Sequence, residues 1–323
     1  MLPIRNVAII SALTAMTPAI TFAAGDDYPT RPIRIICSEP GGSNDFLARI
    51  VAPALSQALN QSVVIENRPS RLVAVVTAVA APDGYTLMIV GGSFLNSSLI
   101  EKVPYDPIKS FTAISQLERS PNILIVNPSL PVNSVKDLIA LAKAQPGKLN
   151  YSSSSSGTAS HLGGELFKLM TGVNMVRIAY RSNAPAVIGV MSNETQLMFG
   201  TPAGASAHVK SGKLRALAVT SREPTPLAPG LPTVSATVPG YELDTIGSLL
   251  APATPPKHII RRLNEVVVRT MAQPDVKAQL LVGGSEAVSS TPEQLTAKLV
   301  SDRDKYRKLY AKIGIEPTNQ QQP

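Results

Sequence analysis

The chain has 323 residues, 44% of them hydrophobic, and a net charge of +8, with no Trp, six Phe and eight Tyr. That apolar content excludes a disordered chain. The basic excess forms no Lys/Arg run interleaved with rings, which argues against a nucleic-acid partner and leaves a general bias that helps attract anions.

In chain order, the first feature is an export signal. Arg5 is the sole charge before Asp26, Val7–Ala24 is almost wholly apolar, and Thr21 and Ala23 are small, as signal peptidase requires at −3 and −1. The run carries Pro18 and is shorter than the ~20 residues a spanning helix needs. Residues 1–23 are therefore read as a signal peptide cleaved near Ala23, which sends the chain to the periplasm. A mature chain of roughly 300 residues exceeds one ordinary core, so two lobes are expected. Cys37 is the lone cysteine and reads as a small buried residue of an apolar strand.

Short apolar runs then alternate with amphipathic ones. Ile33–Cys37, Ser62–Glu66 and Thr86–Val90 read as buried strands, and Asp45–Leu59 carries a helical period at Phe46, Leu47, Ile50, Val51, Leu55 and Leu59. That spacing predicts a parallel sheet with right-handed crossovers. A second series begins at Asn122–Val126. Ser134 and Asp137 open a helix to about Ala144, followed by "KLNYSSSS" (148–155) as strand into loop and by strands at Met175–Ile178, Gln196–Phe199 and Leu214–Thr220. Helices over Thr158–Met170, Pro185–Met191 and Ala203–Lys210 separate them. After the Pro/Gly-rich stretch Pro224–Gly240 come a strand at Thr245–Ala251 and a helix at Pro256–Met271. A last helix starts on Thr291 (N-cap), Pro292 and Gln294. Its stripe of Leu295, Leu299, Tyr306, Tyr310 and Ile313 needs a surface to cover, and Gly314 stops it.

Catalytic and metal motifs are scarce. Of the three histidines, His161 opens a helix and is read as bonded near its terminus, while His208 and His258 read as surface residues. No His-x-x-x-His, Cys pair or carboxylate cluster offers a metal site, and no cofactor loop is complete. Ser93 and Ser285 follow glycine pairs but complete no nucleophile elbow. A serine esterase using His161 stays a remote alternative, and the chain is read as not an enzyme. What recurs is small polar residues before helices: "PGGSND" (40–45), "SSSSSGTAS" (152–160) and "YRSNAPA" (180–186). Each offers backbone N–H groups and hydroxyls where a helix N-terminus favours an anion.

The stretch "YPTRPIRIICSEPGGSNDFLARIVAPALSQALNQSVVIENRP", with "APDGYTLMI", "VPYDPIKSFTAIS", "SGKLRALAVTS", "LPTV", "PGYE" and "LLAPATPP", resembles the Bug family. These are the periplasmic solute-binding proteins of tripartite tricarboxylate transporters, and the resemblance runs in order through nearly the whole mature chain. It implies an α/β, two-lobed periplasmic-binding-protein-like fold (type II), each lobe a mainly parallel sheet flanked by helices, with hinge strands between. Residues 26–123 with 245–323 form the first lobe in this reading, and 124–244 the second. It further implies a monomer that closes on a small organic acid or amino acid and hands it to membrane subunits of the transporter. Gly41, Gly42, Ser43, Asn44, Asp45 and Arg71 are the expected ligand contacts of the first lobe. Ser154, Ser156, Gly157, Thr158, Tyr180, Ser182, Asn183 and Thr201 are those of the second. A periplasmic protein that presents itself to a membrane sensor is the alternative.

The chain departs from the family pattern in places. Ser70-Arg71-Leu72-Val73 replaces a Gly-Ala-Gly-Gly-like loop, so Arg71 either offers a guanidinium fork to the ligand or points to solvent. Glu39 stands before the first glycine pair and is expected either to repel a dicarboxylate or to pair with an amine. Leu197 and Ile246-Gly247 replace an Asp and an aromatic pair, which implies a roomier, less aromatic pocket.

Overall fold

The computed structural model describes residues 28–154 and 156–315; the export signal read in residues 1–23 lies outside them. The chain opens with β1 (Ile33–Cys37), α1 (Ser43–Leu59), β2 (Val63–Asn67), α2 (Ser70–Ala78), β3 (Thr86–Val90), α3 (Ser93–Ile100) and β4 (Phe111–Pro121). It continues with β5 (Ile123–Val126), α4 (Val135–Ala144), β6 (Asn150–Ser153), α5 (Ala159–Thr171), β7 (Val176–Ala179), α6 (Asn183–Met191), β8 (Leu197–Gly200), α7 (Pro202–Lys210) and β9 (Arg215–Val219). Last come β10 (Asp244–Pro252), α8 (Lys257–Ala272), α9 (Pro274–Val282), β11 (Glu286–Ala287) and α10 (Pro292–Lys312).

The strands form two sheets, one of order β11-β4-β10-β3-β1-β2 and one of order β7-β6-β8-β5-β9. Each sheet is mixed rather than mainly parallel. β1 pairs parallel with β2 and β3, and β6 with β7 and β8. β10 runs antiparallel to β3 and β4, and β5 antiparallel to β8 and β9. The reason is the route of the chain. β4 passes through Asn122 straight into β5, and Leu243 leads back into β10, so β5 and β10 are not reached by βαβ crossovers and run against the parallel strands of their sheets.

Both faces of each sheet are covered, which is why the strands read as unbroken apolar runs. Ile33, Ile35 and Cys37 of β1 and Leu87 and Ile89 of β3 pack with α1, α8 and α9, while the alternate Ile36, Met88 and Val90 pack with α2 and α3. In the second sheet Leu124 and Val126 join Leu166 and Phe167 of α5, and Ile123 and Ile125 join Val187 and Val190 of α6. Close approach sets α5 on β6: a Cβ on Gly164 would lie 2.3 Å from the Tyr151 ring, so glycine is required there.

The stripe of α10 divides between the two cores. Leu295 and Leu299 pack in the core of the six-stranded sheet, whereas Tyr306, Leu309 and Tyr310 pack in that of the five-stranded sheet. This corrects the assignment of all of residues 245–323 to the first lobe. The helix has 21 residues, and its second half packs on the neighbouring core.

Where the chain crosses between sheets, Thr220 ties the two passages together. Its Oγ1 accepts the Asn122 N–H (2.7 Å) and donates to the Leu243 carbonyl (2.6 Å), and its own N–H donates to the Asn122 carbonyl (2.9 Å). Thr220 is fully buried.

Candidate functional site

Ligands of open α/β sheets bind beyond the carboxyl ends of the strands. Here those ends carry the loop 38–42 after β1, Arg68-Pro69 after β2, Gly91-Gly92 after β3, residues 154–158 after β6, 180–182 after β7 and Thr201 after β8. All the expected site residues fall in these loops or in the helix turns that follow.

In the first lobe the loop after β1 is fixed from beneath. Gly41 has φ +81°, a left-handed turn that favours glycine. Its N–H donates to Asp45 Oδ2 (2.9 Å), which also accepts Arg49 Nε (2.9 Å); Asn67 Nδ2 donates to Asp45 Oδ1 (2.8 Å) and to the Ser38 carbonyl (2.7 Å). The hydrogen bond from Arg49, then those from Gly41 and Asn67, hold the Asp45 carboxyl down at about 2. Asp45 is buried and its oxygens are taken by the protein itself. It shapes the loop rather than facing the gap, which corrects its expected place among the ligand contacts. Gly41 and Ser43 are exposed and Gly42 is half-buried.

Asn44 and Arg71 do come together. They line a cavity of about 230 Å³ with Ser38, Ser70, Gly91, Ser93, Ser97, Glu101 and Tyr105. Arg71 makes no hydrogen bond or ion pair among the described residues; it is exposed and lines this cavity. Glu39 follows neither expected course. Its carboxylate accepts the Ser70 N–H (2.9 Å) and hydroxyl (2.6 Å) at the start of α2, and the Ser70 hydroxyl, then backbone N–H groups, lower its pKa.

In the second lobe the Ser-rich turn is a network of its own hydroxyls. Ser154 N–H donates to Ser160 Oγ (3.1 Å) and Ser154 Oγ to Thr158 Oγ1 (3.0 Å). Arg177 braces the turn from Nε to Ser153 Oγ (2.7 Å), from Nη1 to Ser156 Oγ (3.1 Å) and from Nη2 to the Ser154 carbonyl (3.0 Å). His161 accepts the Gly157 N–H on Nδ1 (3.1 Å); burial, then the nearby Arg177 charge, push its pKa down to about 4. It is a neutral acceptor that holds the turn, the local role expected for it.

Ser156, Gly157 and Thr158 line a second cavity of about 400 Å³ with Ser93, Asn96 and Ser97 of α3, its C-cap Glu101, and Asp244, Thr245 and Tyr306. Asn96 Nδ2 of α3 donates to the Gly157 carbonyl (3.2 Å), a direct bond from α3 to the turn before α5. Thr225 and Glu286 make another such bond, and Arg119 holds Glu286 at 3.0 Å.

Tyr180, Ser182, Asn183 and Thr201 line neither cavity. Asn183 Nδ2 donates to Thr201 Oγ1 (3.3 Å), and Thr201 caps α7 through the Gly204 N–H. The Tyr180 hydroxyl lies over Gly189 of α6, close enough to exclude a Cβ there. Residues that sequence reasoning missed are Ser93, Asn96, Ser97 and Glu101. The signal was available: Gly91-Gly92-Ser93 follows a buried strand and opens a helix, as Gly41-Gly42-Ser43 does.

Among the described residues no group of three or more His, Cys, Asp or Glu is placed to hold a metal. The geometry suits a polar organic solute held by hydroxyls, amides and one guanidinium.

Comparison with known proteins identifies the family. The family model for the tripartite tricarboxylate transporter family receptor matches residues 47–315. Protein BugT of Bordetella pertussis is 29% identical over 320 residues, 97% of this chain and 98% of that protein. The R. palustris protein Rpa4515, solved with adipate, is 32% identical with a TM-score of 0.68, covering 90% of this chain and 100% of that one. The periplasmic binding protein BugD is 29% identical with a TM-score of 0.66 at the same coverage. A match of that extent, on two mixed sheets joined by crossing strands, shows that the chain belongs to the family of tripartite tricarboxylate transporter receptors.

Proposed function

We propose that the protein is a periplasmic receptor that captures a small carboxylated solute between its lobes and delivers it to the membrane subunits of a tripartite transporter. The observation that carries this reading is the cavity of about 400 Å³ walled by α3 from one lobe and by the Ser156–Thr158 turn from the other. A solute seated there touches both lobes at once, and such a ligand favours the closed form by the contacts it gains only on closure. The adipate in the R. palustris relative supports a carboxylate.

The residues first met by the ligand are Asn44, Arg71, Ser156, Gly157 and Thr158. Gly41, Gly42, Ser43 and Ser154 back them, and Ser182, Asn183 and Thr201 join as the gap narrows. Residues 28–123 and 245–291 with the first half of α10 turn against 124–244, and the passages at Asn122 and Leu243 are the hinge. Charge-assisted hydrogen bonds contribute ~1.5–3 kcal/mol each and micromolar binding needs about −8 kcal/mol. Four or five donors therefore suffice after ordering costs.

Titration calorimetry of the mature chain against a panel of small carboxylates and amino acids tests the proposal. One member is expected to bind one to one at micromolar strength and raise the melting temperature. Absence of heat and of any melting shift across the whole panel would refute it.

A further inference from the structure

The cavity of about 230 Å³ beside Arg71 carries charge of both signs. Arg71 stands in the first turn of α2, and Glu101 caps the C-terminal end of α3, its N–H donating to the Ser97 carbonyl (2.8 Å). Neither side chain has an ion-pair partner among the described residues, although both line the same space. Helix ends reinforce the pattern: the start of α2 is the positive end of its dipole and the close of α3 the negative end of its own. The cavity thus offers a guanidinium to an anion and a carboxylate to a cation.

Glu39 sharpens the choice. It already occupies the N–H and hydroxyl of Ser70, so an incoming carboxylate cannot use the start of α2 and is left with the guanidinium of Arg71 and the amide of Asn44. A second carboxylate on the same solute would meet Glu101, and like charges brought together in a partly desolvated space repel. An ammonium would find there an acceptor and the close of a helix. The lining also includes Val73, Ala74, Val90 and Phe94, apolar side chains suited to methylene groups.

We infer that this pocket takes a zwitterion, its carboxylate on Arg71 and its ammonium on Glu101, and therefore that the solute is an amino acid or a short amino-carboxylate rather than a dicarboxylate. This rests on the receptor reading above, with Ser93, Ser97 and Glu101 lining both this cavity and the one between the lobes.

Calorimetry on the full mature chain with chain-matched pairs tests it: 5-aminopentanoate against adipate, 4-aminobutanoate against glutarate, and glutamine against glutarate. The amino-carboxylate of at least one pair should bind tenfold or more tighter. Glu101→Gln, an exposed substitution whose folding is checked by its melting temperature, should cut that preference below threefold without weakening the dicarboxylate. Arg71→Gln should weaken both members tenfold or more. A dicarboxylate that binds as tightly as its partner, or a preference untouched by Glu101→Gln, would overturn the zwitterion while leaving the receptor intact. No binding by any member of the pairs or of the wider carboxylate panel would overturn both.

Discussion

Asp45 holds the loop after β1 through three donors, from Gly41, Arg49 and Asn67. Because its folded pKa is depressed to about 2, the stability it contributes is complete above the ordinary carboxylate value near 4 and is lost as pH falls through about 2. Asp45→Asn should cost ~1–3 kcal/mol at pH 7, the range for stranding hydrogen bonds to a charged group. Urea unfolding should show that gap closing between pH 4 and pH 2; a gap that persists unchanged at pH 2 would contradict the role. Sequence placed Asp45 among the ligand contacts because its helix-start position is visible, whereas Asn67, the partner that turns it inward, lies on another strand. The same limit hid Glu39, whose acceptor role depends on where α2 begins. His161 was legible because its partner, Gly157, is four residues away.

At the level of strands and helices, legibility follows contrast. α4 and α10 announce themselves by their caps: Ser134 accepts the Asp137 N–H (3.1 Å), and Thr291 and Gln294 form a reciprocal box. α2 and α3 did not, since "SRLVAVVTA" is β-branched and apolar and "SFLNSSLI" is short and rich in Ser and Asn; both helices form because tertiary packing outweighs weak local preference. That gap concealed the wall of both cavities. β4 was missed as a strand, and with it the direct passage into β5. The return passage ends at Asp244, the first residue of β10, whose Oδ1 is buried without a hydrogen-bond partner. Burial, partly offset by the Lys298 charge, raises its pKa to about 6. A carboxyl whose folded pKa lies above its unfolded one favours folding while protonated, so its cost is absent below about pH 4 and complete above pH 6. Asp244→Asn should therefore stabilise the protein at pH 7.5 by on the order of 1 kcal/mol, read by chemical denaturation, with no gain at pH 4. A destabilised variant at pH 7.5 would show instead that the ionised carboxylate, with Lys298 and Lys305 nearby, stabilises this crossing.

Taken whole, the molecule is two cores joined by two passages that Thr220 pins together and by α10, which has one half in each core. Rotation of the lobes must therefore repack the middle of α10 and the bonds Asn96–Gly157 and Thr225–Glu286. The two-lobed plan was readable from the sequence, because two α/β series with a return strand leave few other arrangements. The antiparallel members of each sheet and the bridging of α10 were not, since both depend on which lobe a segment reaches. Small-angle X-ray scattering on the mature chain, with and without a saturating solute found by calorimetry, tests closure most directly. The account predicts a smaller radius of gyration and a more compact profile when the solute is bound. Tight binding with an unchanged profile would contradict it.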